Sequence, residues 1–204
     1  RLERRAHAAG HGRPHAGRRR AQPLREEGGV ALPPAPTLDA KAAKLAAFDL
    51  LARKSWSGRE LTHRLRRRGA SAEVAQTVVA DLIDRGYVDD QAFARWWAEA
   101  RARGRRVGSH RLRQELLAKG IPRAMAEAAI SAAFEEVGES ERALEAGRRR
   151  LPALLRGQAA RAPARLADYL LRRGYPAATV RHAVRVLLAE RGADLSGIEE
   201  DGGA

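Results

Sequence analysis

The chain has 204 residues, 44% of them hydrophobic and 4% aromatic, no cysteine, and a formal net charge of +14 at pH 7. That composition excludes a disulfide framework, a zinc–thiolate centre and a thiol nucleophile, and no apolar run approaches the roughly 18 residues that span a bilayer. A field of this sign attracts polyanions or an acidic partner surface.

Residues 1–38 are rich in Arg, Gly, His and Pro, lack helical or strand period, and are expected to form a disordered basic head. The chain starts at Arg1 rather than Met, so an incomplete upstream end is expected. From Lys41 the spacing becomes helical, with Leu45, Phe48, Leu51 and Ala52 on one stripe. Ser57 stands three before Glu60, a capping box that opens a second helix carrying Leu61 and Leu65. Gly69 stops that helix as a left-handed C′ residue. Ser71 is placed to cap a third helix that ends at Gly86.

Asp89 or Asp90 caps the next helix, which carries Phe93, Trp96, Trp97 and Ala100. Of the adjacent tryptophans, which point about 100° apart on a helix, one suits the core and the other a contact surface. A loop through Gly104 and Gly108 leads to Ser109, read as an N-cap, and a helix that ends at Gly120. Pro122 then occupies the place held by Ser71, two after the glycine, and Pro176 does the same after Gly174. The third unit opens with a helix over Ser140–Leu151. Pro152 and residues 156–163 are expected to loosen its linker before a helix over Ala164–Arg173.

These elements repeat. Leu61, Leu65 and Gly69 are followed by Val74, Val78 and Leu82. Leu112, Leu116 and Gly120 are followed by Met125, Ala129 and Ala133, and Leu166, Leu170 and Gly174 by Val180, Val184 and Leu187. A period near 50 residues marks tandem units that bury their apolar faces together. The expected organisation is the head 1–38, repeats at 39–86, 87–138 and 139–190, and an acidic flexible tail at 191–204. Each repeat is three helices with a tight glycine turn, similar to a helix-turn-helix module. Nothing alternates at period 2, so the fold class is all-α. Residues 39–188 carry 30 Lys/Arg against 17 Asp/Glu, so the repeats are basic in their own right.

The densest charge is Arg101, Arg103, Arg105, Arg106, Arg111 and Arg113, spread across the Gly104–Gly108 loop with His110 beside it. Arginine forks match phosphate or carboxylate oxygens bidentately. A second cluster, Arg64, Arg66, Arg67 and Arg68, crowds a helix C-terminus, where the helix dipole accounts for part of it. Lys119 and the pair Arg172 and Arg173 hold the aligned places, and Arg148, Arg149 and Arg150 form a third group. No phosphate loop, nucleophile elbow or His-Glu-x-x-His pair is present, so no catalytic residue, cofactor or metal is expected.

The run Asp84-Arg-Gly-Tyr-Val-Asp-Asp-Gln-Ala-Phe-Ala94 resembles the hallmark of the RecX regulators of bacterial recombination. So does Arg111-Leu-Arg-Gln-Glu-Leu-Leu-Ala-Lys-Gly-Ile-Pro122, and Tyr169-Leu-Leu-Arg-Arg-Gly-Tyr175 is similar to the family's last repeat. The resemblance covers about residues 40–190. It implies three tandem three-helix repeats in an elongated, curved array. It also implies a cytoplasmic, non-enzymatic monomer that binds the RecA protein and its filament on single-stranded DNA. Inhibition of the ATPase, coprotease and strand-exchange activities follows from the same resemblance, with weaker electrostatic contact to nucleic acid and no membrane. The alternative is a helical repeat protein that binds DNA directly, without RecA.

Overall fold

Leu61 and Leu65, Leu112 and Leu116, and Leu166 and Leu170 are the constant element of the repeat, and all six are fully buried. Each contributes roughly 2 kcal/mol of burial. The computed structural model describes residues 38–157 and 159–200, with the backbone alone over 193–200.

The first repeat comprises α1 (Ala40–Leu51), α2 (Gly58–Arg67) and α3 (Ala72–Asp84). The second comprises α4 (Asp90–Arg105), α5 (Ser109–Ala118) and α6 (Arg123–Ala133). The third comprises α7 (Glu139–Leu155), α8 (Ala162–Arg172) and α9 (Ala177–Glu200), with one 3-10 turn at Ala159–Arg161. Helices pack extensively within each trio, and each trio has its own hydrophobic core. The chain is therefore the all-helical repeat protein that the sequence predicts. Among the described residues the one β-type pairing is an isolated bridge between Leu38 and Ala70.

The turn glycines behave as their positions require. Gly69, Gly120 and Gly174 have φ of 99°, 84° and 84°, a region that costs an L-residue strain. Ser71 caps α3 by accepting from the Val74 amide at 3.1 Å.

Several local expectations are corrected. The buried stripe of α1 is Ala43, Ala47 and Leu50, whereas Leu45 is 62% exposed. Alanine lets α1 lie close against α3, while Phe48 and Leu51 pack partly buried against the same core and Leu45 faces out. Gly104 is helical, because α4 runs through it to Arg105. Pro152 does not end its helix, because α7 continues to Leu155 and buries Leu151 and Leu154 on either side of it. The linker is correspondingly shorter, and α8 starts at Ala162 with Pro163 in its first turn, where a missing N–H is harmless. The capping box of α2 is half formed: Ser57 accepts from the Glu60 amide at 3.3 Å, but the Glu60 carboxylate pairs with Lys119 instead. Ser109 is the first residue of α5 and not its cap, for reasons that lie in the next repeat.

Apart from Leu38, the head falls outside the described residues. The backbone of α9 runs into the acidic segment as far as Glu200, and residues 201–204 lie outside the described residues.

Candidate polyanion-binding site

The repeats are joined through the ends of their middle helices. At the first joint the N-terminus of α2 meets the C-terminus of α5. Ser57 Oγ donates to the Lys119 carbonyl at 2.7 Å, and Lys119 Nζ pairs with Glu60 at 2.7 Å. Asp90 accepts from the Gly58 amide at 2.8 Å, while its neighbour Asp89 caps α4 through the amides of Gln91 and Ala92. The two aspartates that the sequence leaves as alternatives thus have separate roles.

At the second joint the N-terminus of α5 meets the C-terminus of α8. The Gly108 amide donates to the Arg173 carbonyl at 2.9 Å and the His110 amide to the Gly174 carbonyl at 3.0 Å. The Ser109 amide donates to the Glu139 carboxylate at 2.6 Å. The third repeat therefore satisfies the open amides that a side-chain cap would otherwise serve. At both joints a positive helix end faces a negative one, a favourable pairing of dipoles. Gly108 and Gly174 stand back to back, and a Cβ on Gly108 would meet the Gly174 carbonyl oxygen at 2.5 Å. Sequence alone puts Gly108 in a flexible loop and does not reveal this contact. The available signal is the alignment of Gly108 with the α2 cap Ser57 at the repeat period.

The basic residues divide into two groups. Arg101 clasps Glu115 through two nitrogens, with Arg111 on the same carboxylate at 3.2 Å. Burial pushes the Glu115 carboxyl up, but hydrogen bonds from Arg101, Arg111 and Trp97 outweigh it and hold it below the ordinary glutamate value. Arg113 clasps Glu127, whose carboxyl this contact lowers. Arg106 pairs with Glu145 at 3.0 Å, Arg103 with Glu99 and Glu136, Arg148 with Glu190 and Arg149 with Glu145. Lys119 is tucked under the ring of Trp97 at 3.9 Å as well as against Glu60. These side chains stitch the fold together.

The second group has no carboxylate partner among the described residues. Arg66 and Arg67 lie exposed at the end of α2 beside His63. Their neighbours are partly engaged: Arg64 stacks on Trp56 at 4.9 Å and Arg68 donates to the Ala46 carbonyl at 3.3 Å. Arg105 and Arg172 are exposed at the second joint. Arg150 lies 5.8 Å from the Tyr169 ring, and His110 is exposed near α8. Arg173 stacks on Tyr169 at 4.7 Å and donates to the Arg105 carbonyl.

The second joint gathers these charges into a cleft of about 500 Å³ lined by Arg101, Arg105, Arg106, Arg111, Arg172 and Arg173. The sequence places the first four near one another. It does not place Arg172 and Arg173 with them, because the third repeat reaches the cleft through the fold alone. The remaining groups stay apart: the α2 arginines sit on the first repeat, Arg148 pairs across to Glu190 on α9, and Arg149 pairs with Glu145 along α7. Of the tryptophans, Trp96 is 58% exposed and Trp97 half-buried, with its indole N–H on Glu115 at 3.1 Å. Trp97 packs against the second core and Trp96 faces solvent. No group of His, Cys, Asp and Glu suited to a metal exists among the described residues, nor is any helix among them long and apolar enough to cross a membrane.

The architecture defines an all-helical protein of three-helix repeats with arginines gathered at its second joint. The profile of the second three-helix domain of RecX matches residues 89–130. The regulatory protein RecX of Amycolatopsis mediterranei is 35% identical over 156 residues, covering 76% of this chain and 87% of the relative. A RecX regulatory protein of Thermus thermophilus is 36% identical over 144 residues, covering 71% and 91%. The chain belongs to the RecX family of regulatory proteins. The crystal structure of RecX from Lactobacillus salivarius shares the fold, with a TM-score of 0.64 at 16% identity, over 73% of this chain and 96% of that one.

Proposed function

We propose that this protein regulates the RecA recombinase by binding its filament on single-stranded DNA and inhibiting the ATPase, coprotease and strand-exchange activities. The observation that carries the reading is the set of arginines without an ion-pair partner among the described residues, Arg66 and Arg67 on one repeat and Arg105 and Arg172 at a joint between two others. Such a set presents charge at intervals to an extended polyanionic object, not to one small substrate. The paired residues Arg101, Arg103, Arg106, Arg111, Arg113 and Lys119 hold the surface in shape. Membership of the RecX family supports the regulatory role. In this reading the protein acts in the cytoplasm as a monomer, with RecA as its partner and nucleic acid as a weaker contact.

The test is the RecA ATPase rate on single-stranded DNA, titrated with the protein, with bare-DNA binding measured in the same salt. Inhibition well below the concentration that coats bare DNA supports filament regulation. Inhibition confined to concentrations at which the DNA is already covered would support direct DNA binding without RecA.

A further inference from the structure

We infer that the cleft between the second and third repeats is a phosphate-binding site in which Arg105 and Arg172 are the free ligands. The inference deepens the reading above, since it names the chemistry at one place on the basic surface, and it requires no RecA to be tested.

The charge balance of the cleft leads to this assignment. Six arginines line it. Glu115 satisfies Arg101 and Arg111, and Glu145 satisfies Arg106. Arg105, Arg172 and Arg173 make no ion pair with a carboxylate among the described residues, although Asp168 lies beside Arg172 on α8. The helix ends compensate in part, because the Arg105 carbonyl accepts from Arg173 and the Arg172 carbonyl accepts from Arg111 at 3.2 Å. Those bonds use guanidinium donors of Arg173 and Arg111 and none of Arg105 or Arg172. The Nε of Arg173 is buried with no hydrogen-bond partner, a state that buried donors rarely tolerate. The joint therefore holds more cation than its own residues neutralise.

The shape of the cleft selects the anion. Arg105 comes from the end of α4 and Arg172 from the end of α8, so the donors approach from two walls. A tetrahedral oxyanion offers acceptor oxygens in both directions, whereas one carboxylate presents its two oxygens in a plane. The single aromatic wall, Tyr169, is already covered by Arg173. With Arg173 and Arg150 both at that ring, it offers little for stacking a base, so the site reads phosphate and is indifferent to nucleotide sequence. Because the walls belong to different repeats, a bound phosphate also holds the third repeat onto the second.

Calorimetric titration of the full chain with sodium pyrophosphate, at ionic strength held constant with chloride, tests the assignment. Saturable binding is expected, about tenfold weaker in the Arg105→Gln/Arg172→Gln variant and unchanged in Arg148→Gln, whose partner Glu190 lies outside the cleft. Helicity by circular dichroism should be the same in all three proteins. The Gly108 and His110 amides, which bridge the joint, should exchange more slowly with pyrophosphate present. Equal affinity in the Arg105→Gln/Arg172→Gln variant, or no saturable heat, would overturn the site. Binding without slower exchange would overturn the clamping of the joint. A parallel titration with oligo-dT separates the sources. Weakening by the same variant assigns the site to backbone phosphates of a strand, and pyrophosphate binding alone assigns it to free phosphate. The outcome stands apart from the RecA ATPase result, as the mixture contains no recombinase.

Discussion

Ser57 Oγ donates to the Lys119 carbonyl at 2.7 Å across the first joint while accepting from the Glu60 amide on its own helix. One fully buried hydroxyl thus both caps α2 and ties it to the next repeat.

Ser57→Ala should cost about 2 kcal/mol, combining a lost cap of about 1 kcal/mol with a lost buried hydrogen bond of about 1 kcal/mol. Ser71→Ala removes a cap that bridges no repeats and should cost about 1 kcal/mol. Urea unfolding of the two variants makes the comparison. Equal losses would show that the Lys119 hydrogen bond adds nothing.

Gly174→Ala should destabilise more than Gly86→Ala. Both glycines have positive φ, 84° and 75°, so both substitutions incur roughly 1–2 kcal/mol of left-handed strain. A Cβ on Gly86 meets open space, but one on Gly174 meets the Arg111 nitrogen at 2.5 Å. Backbone cannot rotate away as a side-chain tip can, so the second joint must open. Melting temperatures decide the order, and similar values would mean that the joint yields without cost.

Acid should weaken the second repeat through Glu115. Its folded carboxyl is held below the ordinary glutamate value of 4.5. A depressed carboxylate contributes stability that is present above the unfolded value and is lost as pH falls through the folded one. The melting temperature of the wild-type protein should therefore fall below about pH 4.5. Glu115→Gln should lower stability at neutral pH and flatten that acid slope. A variant with the wild-type slope would exclude Glu115 as a source.

Reversing unpaired and paired arginines should have opposite signatures. Arg66→Glu/Arg67→Glu breaks no ion pair among the described residues, so stability should fall only by the helix-dipole contribution, about 0.3–1 kcal/mol for each residue. Binding to single-stranded DNA should weaken, and its log–log salt slope should fall by roughly 0.7 for each phosphate no longer neutralised. Arg113→Glu instead places a carboxylate against Glu127 and should lower the melting temperature. Anisotropy over a salt series, with melting curves alongside, checks both. An unchanged slope in the first variant would remove the α2 end from the binding surface.

Much of the fold is legible in the chain itself. The leucine pairs, the left-handed glycines and the Ser71 cap depend on periodicity and on φ preferences, which are local. The α1 stripe is only partly legible: Phe48 and Leu51 pack against the core as hydrophobicity favours, but packing against α3 buries the alanines and leaves Leu45 exposed. At Pro152 local rules end a helix, and burial of Leu151 and Leu154 carries it through. The basic surface is legible as composition. Its division into structural and free arginines is not, because pairs such as Arg106 with Glu145 and Arg113 with Glu127 join different helices.

The sequence by itself determined a basic, all-helical array of three repeats, since a repeated apolar period and repeated glycine stops act within about twenty residues of chain and need no distant partner. Only the tertiary structure decided that Arg172 lies in the same cleft as Arg105, that Gly108 meets Gly174, and that Asp90 serves the first repeat. Those contacts bring together residues from different repeats, where the energy comes from geometry across a joint and leaves no period along the chain.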